Sequence, residues 1–182
     1  MTLGLKRGIV SLVPHQKEWA LEFENESARL KSLLGGTSAA IEHVGSTAVP
    51  DLVAKPIIDV AIAVVSWNSI SAWPALLARE GYTYFGDREN VGDHFFAKGP
   101  DERRTHHVHV VIAGGAKWNE YLKFRDTLRS NPALREEYQQ LKRYLAEQNP
   151  NDREAYTDAK ASFIKKVLAL GESAIGSTAT RS

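Results

Sequence analysis

Residues 57–65 of this 182-residue chain, Ile-Ile-Asp-Val-Ala-Ile-Ala-Val-Val, are apolar at every position except Asp59. Most of them are β-branched, and β-branched residues favour strands. A strand that lacks polar alternation is typical of a sheet that is covered on both faces. The run therefore predicts the central strand of a buried sheet, with one carboxylic acid inside it.

Further strands and helices are predicted on both sides of this run. Apolar residues at helical spacing predict an amphipathic helix over 14–34, followed by a stop at Gly35-Gly36. Strands are predicted at 40–44, 82–85, 93–98 and 105–112, and helices at 69–80, 118–129, 132–147 and 152–170. The aromatic residues expected mainly in the core are Trp19, Phe23, Trp118, Tyr121 and Tyr138. The fold class is therefore α/β (α+β): a mixed sheet flanked by helices, with the C-terminal helices packed on it.

Length and composition are those of one globular domain. With 43% apolar and 25% charged residues, the chain can bury one substantial core, which we expect within residues 1–170. Residues 171–182 are small and polar and are predicted to form a disordered tail. No apolar run approaches the roughly 18–20 residues that a membrane span needs, nor the length of a signal peptide, so we expect a cytoplasmic protein.

The charge balance excludes some partners and the composition restricts the metal ligands. The formal net charge is +1, which gives no overall electrostatic reason to expect a nucleic acid or a membrane as partner. The chain has no Cys, so it can form neither disulfides nor thiolate metal sites. Any metal must be held by His, Asp, Glu, backbone carbonyls or water.

The segment 42–59 carries the strongest indication of chemistry. Gly45-Ser46-Thr47 is a turn of small residues after the predicted strand 40–44. Its backbone N–H groups and hydroxyls can hold an anion, although an ordinary turn capped by Ser and Thr has the same sequence. Lys55 follows and can neutralise phosphate charge. An anion site at this turn is therefore the functional interpretation.

Acidic and imidazole side chains supply the candidate catalytic groups. Asp59 needs a cation or a donor inside its apolar strand, so it is either a ligand or metal residue or part of a structural salt bridge. His107 and His109 share one face of their strand and can bind a metal or transfer protons. His43 either closes the site or caps the Gly-Ser turn. Asp59, His107 and His109 are the candidate metal ligands, and Mg²⁺, Mn²⁺ or Zn²⁺ the candidate cofactors, with imidazole favouring metals other than Mg²⁺.

Several blocks in one order resemble the GrpB family. They are Glu-His-Val-Gly-Ser-Thr-Ala-Val-Pro at 42–50, Ala-Lys-Pro-Ile-Ile-Asp at 54–59, Arg-Thr-His-His-Val-His-Val-Val at 104–111, Phe-Arg-Asp at 124–126 and Tyr-Thr-Asp-Ala-Lys at 156–160. The resemblance covers about residues 10–170. It implies a nucleotidyltransferase-like scaffold, in which Gly-Ser is followed by Asp-x-Asp or Asp-x-Glu. Gly45-Ser46 and Asp59 match this pattern, but position 61 is Ala. Because residues 59 and 61 face the same way in a strand, Ala61 removes one of two carboxylates that would hold Mg²⁺.

The resemblance also implies that Arg104, Arg125 and Lys160 line a pocket that binds an anion. Gly45, Ser46, Thr47 and Lys55 are the other candidate residues of this pocket. The first functional hypothesis is an enzyme that acts on a nucleotide or another phosphorylated small molecule, with Asp59, His107, His109 and His43 as catalytic residues. The second is a binding module for a nucleotide or a pantetheine-type ligand, because the family includes domains fused to dephospho-CoA kinase. The third is an unrelated reaction on the same scaffold.

Overall fold

The computed structural model describes residues 1–170, except the side chain of Glu89. Within this range one mixed sheet contains five strands: β1 Ala40–Val44, β2 Ile58–Val64, β3 Tyr82–Asp87, β4 His94–Lys98 and β5 His106–Ile112. Their order in the sheet is β1-β2-β5-β4-β3. β2 and β5 run parallel, and the other neighbouring pairs are antiparallel. The predicted tail at 171–182 lies outside the described residues, and the single domain at 1–170 stays a prediction.

Six α-helices accompany the sheet in the described chain: α1 Glu18–Leu34, α2 Trp73–Ala78, α3 Ala116–Ser130, α4 Pro132–Gln148, α5 Arg153–Asp158 and α6 Ala161–Ala169. The predicted mixed sheet flanked by helices is confirmed. In the part of the chain that is described, no helix is both long and apolar enough to cross a membrane.

Three details of the sequence prediction are wrong. The run at 57–65 was expected to form the central strand, but the middle strand of the sheet is β5. β2 is the second strand, between β1 and β5. The helix expected at 69–80 begins only at Trp73, with Pro74 in its first turn, where the missing N–H costs no hydrogen bond. The helix expected at 152–170 is divided into α5 and α6. At the division the Lys160 amide donates to the carbonyl of Thr157, an i→i−3 bond that tightens the turn.

The two faces of the sheet have different chemistry because successive strand residues point to opposite sides. Ile58, Val60 and Ile62 of β2 belong to the main apolar cluster, which also contains Trp19 and Leu30 of α1. Asp59 lies on the other face, beside His107 of β5. A second apolar cluster, built from residues such as Leu52, Leu128, Tyr138 and Phe163, joins the C-terminal helices. The polar face of the sheet is therefore covered by these helices, which explains why β2 lacks polar alternation.

Candidate functional site

A cavity of about 890 Å³ lies between the polar face of the sheet and the C-terminal helices. Most of the predicted site residues contribute to its wall, namely Gly45, Ser46, Thr47, Lys55, Asp59, Arg104, His107, His109 and Lys160. Asp59 and His107 are each the second residue of their strand. Since β2 and β5 are parallel, the beginnings of both strands meet at the same end of the sheet. The cavity is thus formed where two strand starts, a turn and the four helices α3 to α6 come together.

Gly45 allows the turn to lie directly against Asp59. Its φ angle is 67°, in the left-handed region that favours glycine. A Cβ atom at this position would come within 2.9 Å of Cβ and Cγ of Asp59. The glycine is therefore required both by the backbone conformation and by the close approach of the carboxylate.

His43 supports the turn from outside the cavity wall. Its Nε2 lies 3.0 Å from Oγ1 of Thr47, and its ring stacks on Phe23 with centroids 4.7 Å apart. Burial lowers the pKa of His43 to about 4, so the ring is neutral at pH 7. The structure therefore places His43 as the residue that holds the Gly-Ser turn, which is the capping alternative of the sequence interpretation.

Asp59 and His107 form the first polar unit of the cavity. Nδ1 of His107 lies 3.0 Å from Oδ1 of Asp59, and its Nε2 lies 3.2 Å from a guanidinium nitrogen of Arg153. Burial lowers the pKa of His107 to about 4. The neutral ring therefore donates from Nδ1 to Asp59 and accepts from Arg153 at Nε2. Burial raises the pKa of Asp59, but the His107 hydrogen bond and nearby positive charges outweigh it and hold that pKa well below its usual range.

His109 belongs to a second polar unit with Asp93 and Tyr121. Its Nδ1 lies 3.0 Å from both carboxylate oxygens of Asp93. The Tyr121 hydroxyl donates to Oδ2 of Asp93 at 2.7 Å and lies 2.9 Å from Nδ1 of His109. Burial opposes ionisation of Asp93, yet its electrostatic attraction to the His109 ring and its hydrogen bonds with His109 and Tyr121 lower its pKa. Among residues 1–170, His109 Nε2 has no hydrogen-bonding partner.

Sequence reasoning missed three residues of these units: Asp93, Tyr121 and Arg153. Tyr121 was expected mainly in the core but lines the cavity. Asp93 and Tyr121 lie 16 and 12 positions from His109, and Arg153 lies 46 positions from His107. No local spacing pattern links residues so far apart, because strand pairing and helix packing bring them together.

Lys55 and Lys160 approach the ring of Tyr156 at the end of the cavity formed by α5 and α6. The Lys160 ammonium lies 4.3 Å and the Lys55 ammonium 5.2 Å from its centroid. Neither lysine forms a hydrogen bond through its ammonium, or an ion pair, within the described chain. Burial lowers the pKa of Lys160 to about 8. Burial, with the charges of Arg153 and Lys160, lowers the pKa of Lys55 well below its usual range.

Lys142 is a further basic residue of the cavity wall. It is 1% exposed, and its ammonium donates to the carbonyl of Val53. Burial is the main cause that lowers its pKa, with a smaller contribution from Lys160 and Lys55. The cavity therefore gathers several basic side chains at positions where burial opposes their positive charge.

The two predicted arginines use their charge elsewhere. The Arg104 guanidinium donates to the carbonyls of Gly99 and Ala97 and pairs with Asp101. Arg104 lines the cavity, but its donors are largely occupied. Arg125 is absent from the cavity wall that the described residues form. Its side chain pairs with Glu42 at 2.7 Å and also with Asp126, so it connects α3 to β1.

The predicted metal ligands do not form a metal site in this arrangement. Residues 1–170 contain no group of three or more His, Asp or Glu side chains placed to hold one ion. Asp59 and His107 direct their ligand atoms at each other, and Nδ1 of His109 is held by Asp93. Ala61 is 0% exposed and contributes no ligand. The described residues therefore hold no preformed site with three protein ligands, and metal binding stays a prediction.

Comparison with known proteins gives consistent matches across the chain. A family model described as GrpB protein matches residues 9–170. The glutamate-rich protein GrpB of Alkalihalophilus pseudofirmus is 37% identical over 170 residues, which are 91% of this chain and 98% of that protein. The crystal structure of the conserved protein GrpB from Enterococcus faecalis has a TM-score of 0.82 at 36% identity and covers 90% of this chain and 99% of that chain.

A more distant match is part of a longer protein. The dephospho-CoA kinase of Mycobacterium leprae is 29% identical over 180 residues. The match covers 84% of this chain but 44% of that kinase. The shared region is therefore less than half of the longer protein.

Proposed function

Since this chain belongs to the GrpB family, as its motif blocks predicted, we propose that it is an enzyme acting on a nucleotide or another phosphorylated small molecule. The observation that carries this proposal is the set of cations in the cavity. Lys55, Arg153 and Lys160 line the same cavity, and none of them forms an ion pair with another residue of the 1–170 range. The charge of Asp59 acts on all three, but three basic side chains outnumber that one carboxylate, and a bound anion would offset the remaining positive charge.

A phosphate group suits this space for two reasons. Its oxygens accept hydrogen bonds from lysine and arginine. These charge-assisted hydrogen bonds are shorter and stronger than hydrogen bonds between neutral groups. Its charge also relieves the repulsion by which Arg153 and Lys160 lower the pKa of Lys55. The Gly45-Ser46 turn adds backbone N–H groups and a hydroxyl at the same cavity. The proposed ligand therefore places its phosphate between Tyr156 and the turn.

The proposed chemistry is acid–base chemistry by the histidines rather than metal-assisted transfer by paired carboxylates. His107 and His109 line the cavity with Asp59, whereas Ala61 offers no second carboxylate. Nucleotidyl transfer would need the cationic side chains to stabilise the charge on the phosphoryl oxygens. Transferase activity on a nucleotide is the finer form of this proposal.

A binding module is the second candidate, and Ala61 is the observation that favours it. The loss of a motif carboxylate removes transfer chemistry while leaving the cations and the turn. The similarity to part of a dephospho-CoA kinase makes pantetheine phosphates suitable probes for this alternative. Under this hypothesis the cavity would hold its ligand without changing it.

Isothermal titration calorimetry tests the shared premise of both candidates. The probes are inorganic phosphate, pyrophosphate, nucleoside mono- and triphosphates and 4′-phosphopantetheine. We expect the native protein to bind at least one probe and Lys160→Met to bind it more weakly. Lys165→Met is the matched control, because Lys165 lies exposed in α6, the helix that begins directly after Lys160. If the native protein binds no probe, or if both variants bind alike, the proposed anion site is wrong.

Phosphorus NMR then separates the enzyme from the binding module. The bound probe is incubated with the native protein, water and an alcohol acceptor. A new phosphorus resonance that depends on the protein supports the enzyme. Binding without any change in the probes favours the module.

A further inference from the structure

We propose that His109 is the general base of the cavity and that Asp93 and Tyr121 are its positioning residues. This inference rests on the proposed function, because it names the group that would activate an acceptor hydroxyl for attack on the phosphorylated ligand. It concerns Nε2 of His109, the ring nitrogen that faces no hydrogen-bonding partner among the described residues.

The hydrogen bonds of Asp93 determine which nitrogen carries the proton. Both carboxylate oxygens lie 3.0 Å from Nδ1 of His109, so that nitrogen must donate. The Tyr121 hydroxyl is fixed by its own donation to Asp93 at 2.7 Å. A neutral imidazole that is protonated on Nδ1 has its lone pair on Nε2. The unit therefore holds His109 as a base and stabilises the imidazolium that forms when it accepts a proton.

The position of His109 in the sheet leaves room for a substrate. His109 pairs with Ala61 of β2 and with Phe95 of β4. Alanine offers neither bulk nor an acid to compete for Nε2. Phe95 packs against the ring, with centroids 5.2 Å apart, and also lines the cavity. The base is thus flanked by apolar neighbours, which fix the ring without consuming its lone pair.

His107 is different, although it lies two residues away on the same face. Its Nδ1 is bound to Asp59 and its Nε2 faces Arg153. Nε2 of His107 could accept a proton from a substrate only if the Arg153 guanidinium moved away. The geometry therefore assigns the two histidines different tasks: His107 connects Arg153 to Asp59, and His109 accepts the proton.

The step balances with an acceptor hydroxyl, from water or an alcohol, and a phosphorylated donor as reactants. The acceptor proton passes to Nε2, and an oxygen lone pair of the acceptor forms the new bond to phosphorus. The bond from phosphorus to the leaving oxygen breaks, and that oxygen keeps the electron pair. His109 then releases its proton to solvent. No oxidant, reductant or further reactant is needed.

Nitrogen NMR on ¹⁵N-histidine protein, without ligand at pH 8, tests the assignment. We expect His109 to carry its proton on Nδ1. Asp93→Asn should shift His109 toward the other tautomer while the melting temperature shows a folded protein. Asp158→Asn is the control, because this exposed acid lies at the same cavity and should leave the tautomer unchanged. A native His109 protonated on Nε2, or a tautomer that is unchanged in Asp93→Asn, would overturn the proposal.

Diethyl pyrocarbonate labelling with peptide mass spectrometry gives a second readout. It modifies imidazole nitrogens that retain an accessible lone pair. We expect His109 to react at least about tenfold faster than His107, whose lone-pair nitrogen Nε2 must first break its hydrogen bond with Arg153. Equal rates, or faster labelling of His107, would refute the assignment. Both experiments omit the ligand, so their failure is distinct from a failure to bind phosphate probes.

Discussion

Raising the pH from 7 to 9 should weaken the binding of a nucleoside monophosphate by about tenfold through Lys160 alone. Burial lowers the pKa of this lysine to about 8. From that value, roughly nine-tenths of Lys160 is protonated at pH 7, half at pH 8 and one-tenth at pH 9. The ligand itself changes little, because the second pKa of a phosphomonoester is about 6. The change in affinity therefore reports the protein.

The sign follows from proton linkage. A bound phosphate stabilises the protonated lysine and raises its pKa, so the complex binds more protons than the separate molecules. The affinity is therefore highest at pH values below the pKa of Lys160 in the ligand-free protein. It decreases as the pH rises through about 8. At pH 8 the complex should take up about half a proton at Lys160. Lys55 acts in the same direction, since its pKa is also lowered.

Calorimetry at pH 7, 8 and 9 in buffers with different heats of ionisation measures affinity and proton uptake together. In Lys160→Met the ratio of the affinities at pH 7 and pH 9 should be about tenfold smaller than in the native protein. In Lys165→Met this ratio should be unchanged. Equal affinity of the native protein at pH 7 and 9 would refute the reasoning. The same conclusion holds if Lys160→Met shows the pH dependence of the native protein.

Three further predictions concern stability and metal binding. Gly45→Ala should lower the free energy of unfolding in urea by more than the roughly 1–3 kcal/mol of a positive-φ residue, because its Cβ also displaces Asp59. Mg²⁺, Mn²⁺ and Zn²⁺ should each leave the melting temperature unchanged, because Asp59 is engaged by His107. Lys98→Met should cost about 3–5 kcal/mol by urea unfolding, because it leaves the buried Glu26 carboxylate without its 2.7 Å partner.

Each of these three has a clear contrary result. Gly36→Ala is the control for Gly45→Ala, since Gly36 also has a positive φ but no atom near the added Cβ. An equal loss of unfolding free energy in both variants would mean that Asp59 moves away from the added Cβ at no cost. A metal that raises the melting temperature of the native protein but not of Asp59→Asn would restore the metal hypothesis. Lys98→Met at native stability would mean that Glu26 takes up a proton or reaches water.

The sequence alone determined the family, the fold class and part of the cavity wall. Local signals were sufficient for this: the apolar run around Asp59 predicts a buried strand, and Gly45-Ser46 marks a tight turn. The period-two geometry of a strand places His107 and His109 on one face. The spaced motif blocks identified the GrpB family. The strand and turn inferences depend only on residues close together in the chain, where steric and hydrophobic rules act, whereas the family assignment depends on the order of blocks between residues 42 and 160.

Tertiary structure decided what each charged side chain does. Arg125 and Lys160 look alike as sequence signals, yet Arg125 is held by Glu42 whereas Lys160 lies against Tyr156 in the cavity. Parallel pairing brought Asp59 to His107, and helix packing brought Tyr121 to Asp93. The strength of a charge interaction depends on distance, burial and the presence of a partner. Those three quantities exist only after residues distant in sequence have been packed together.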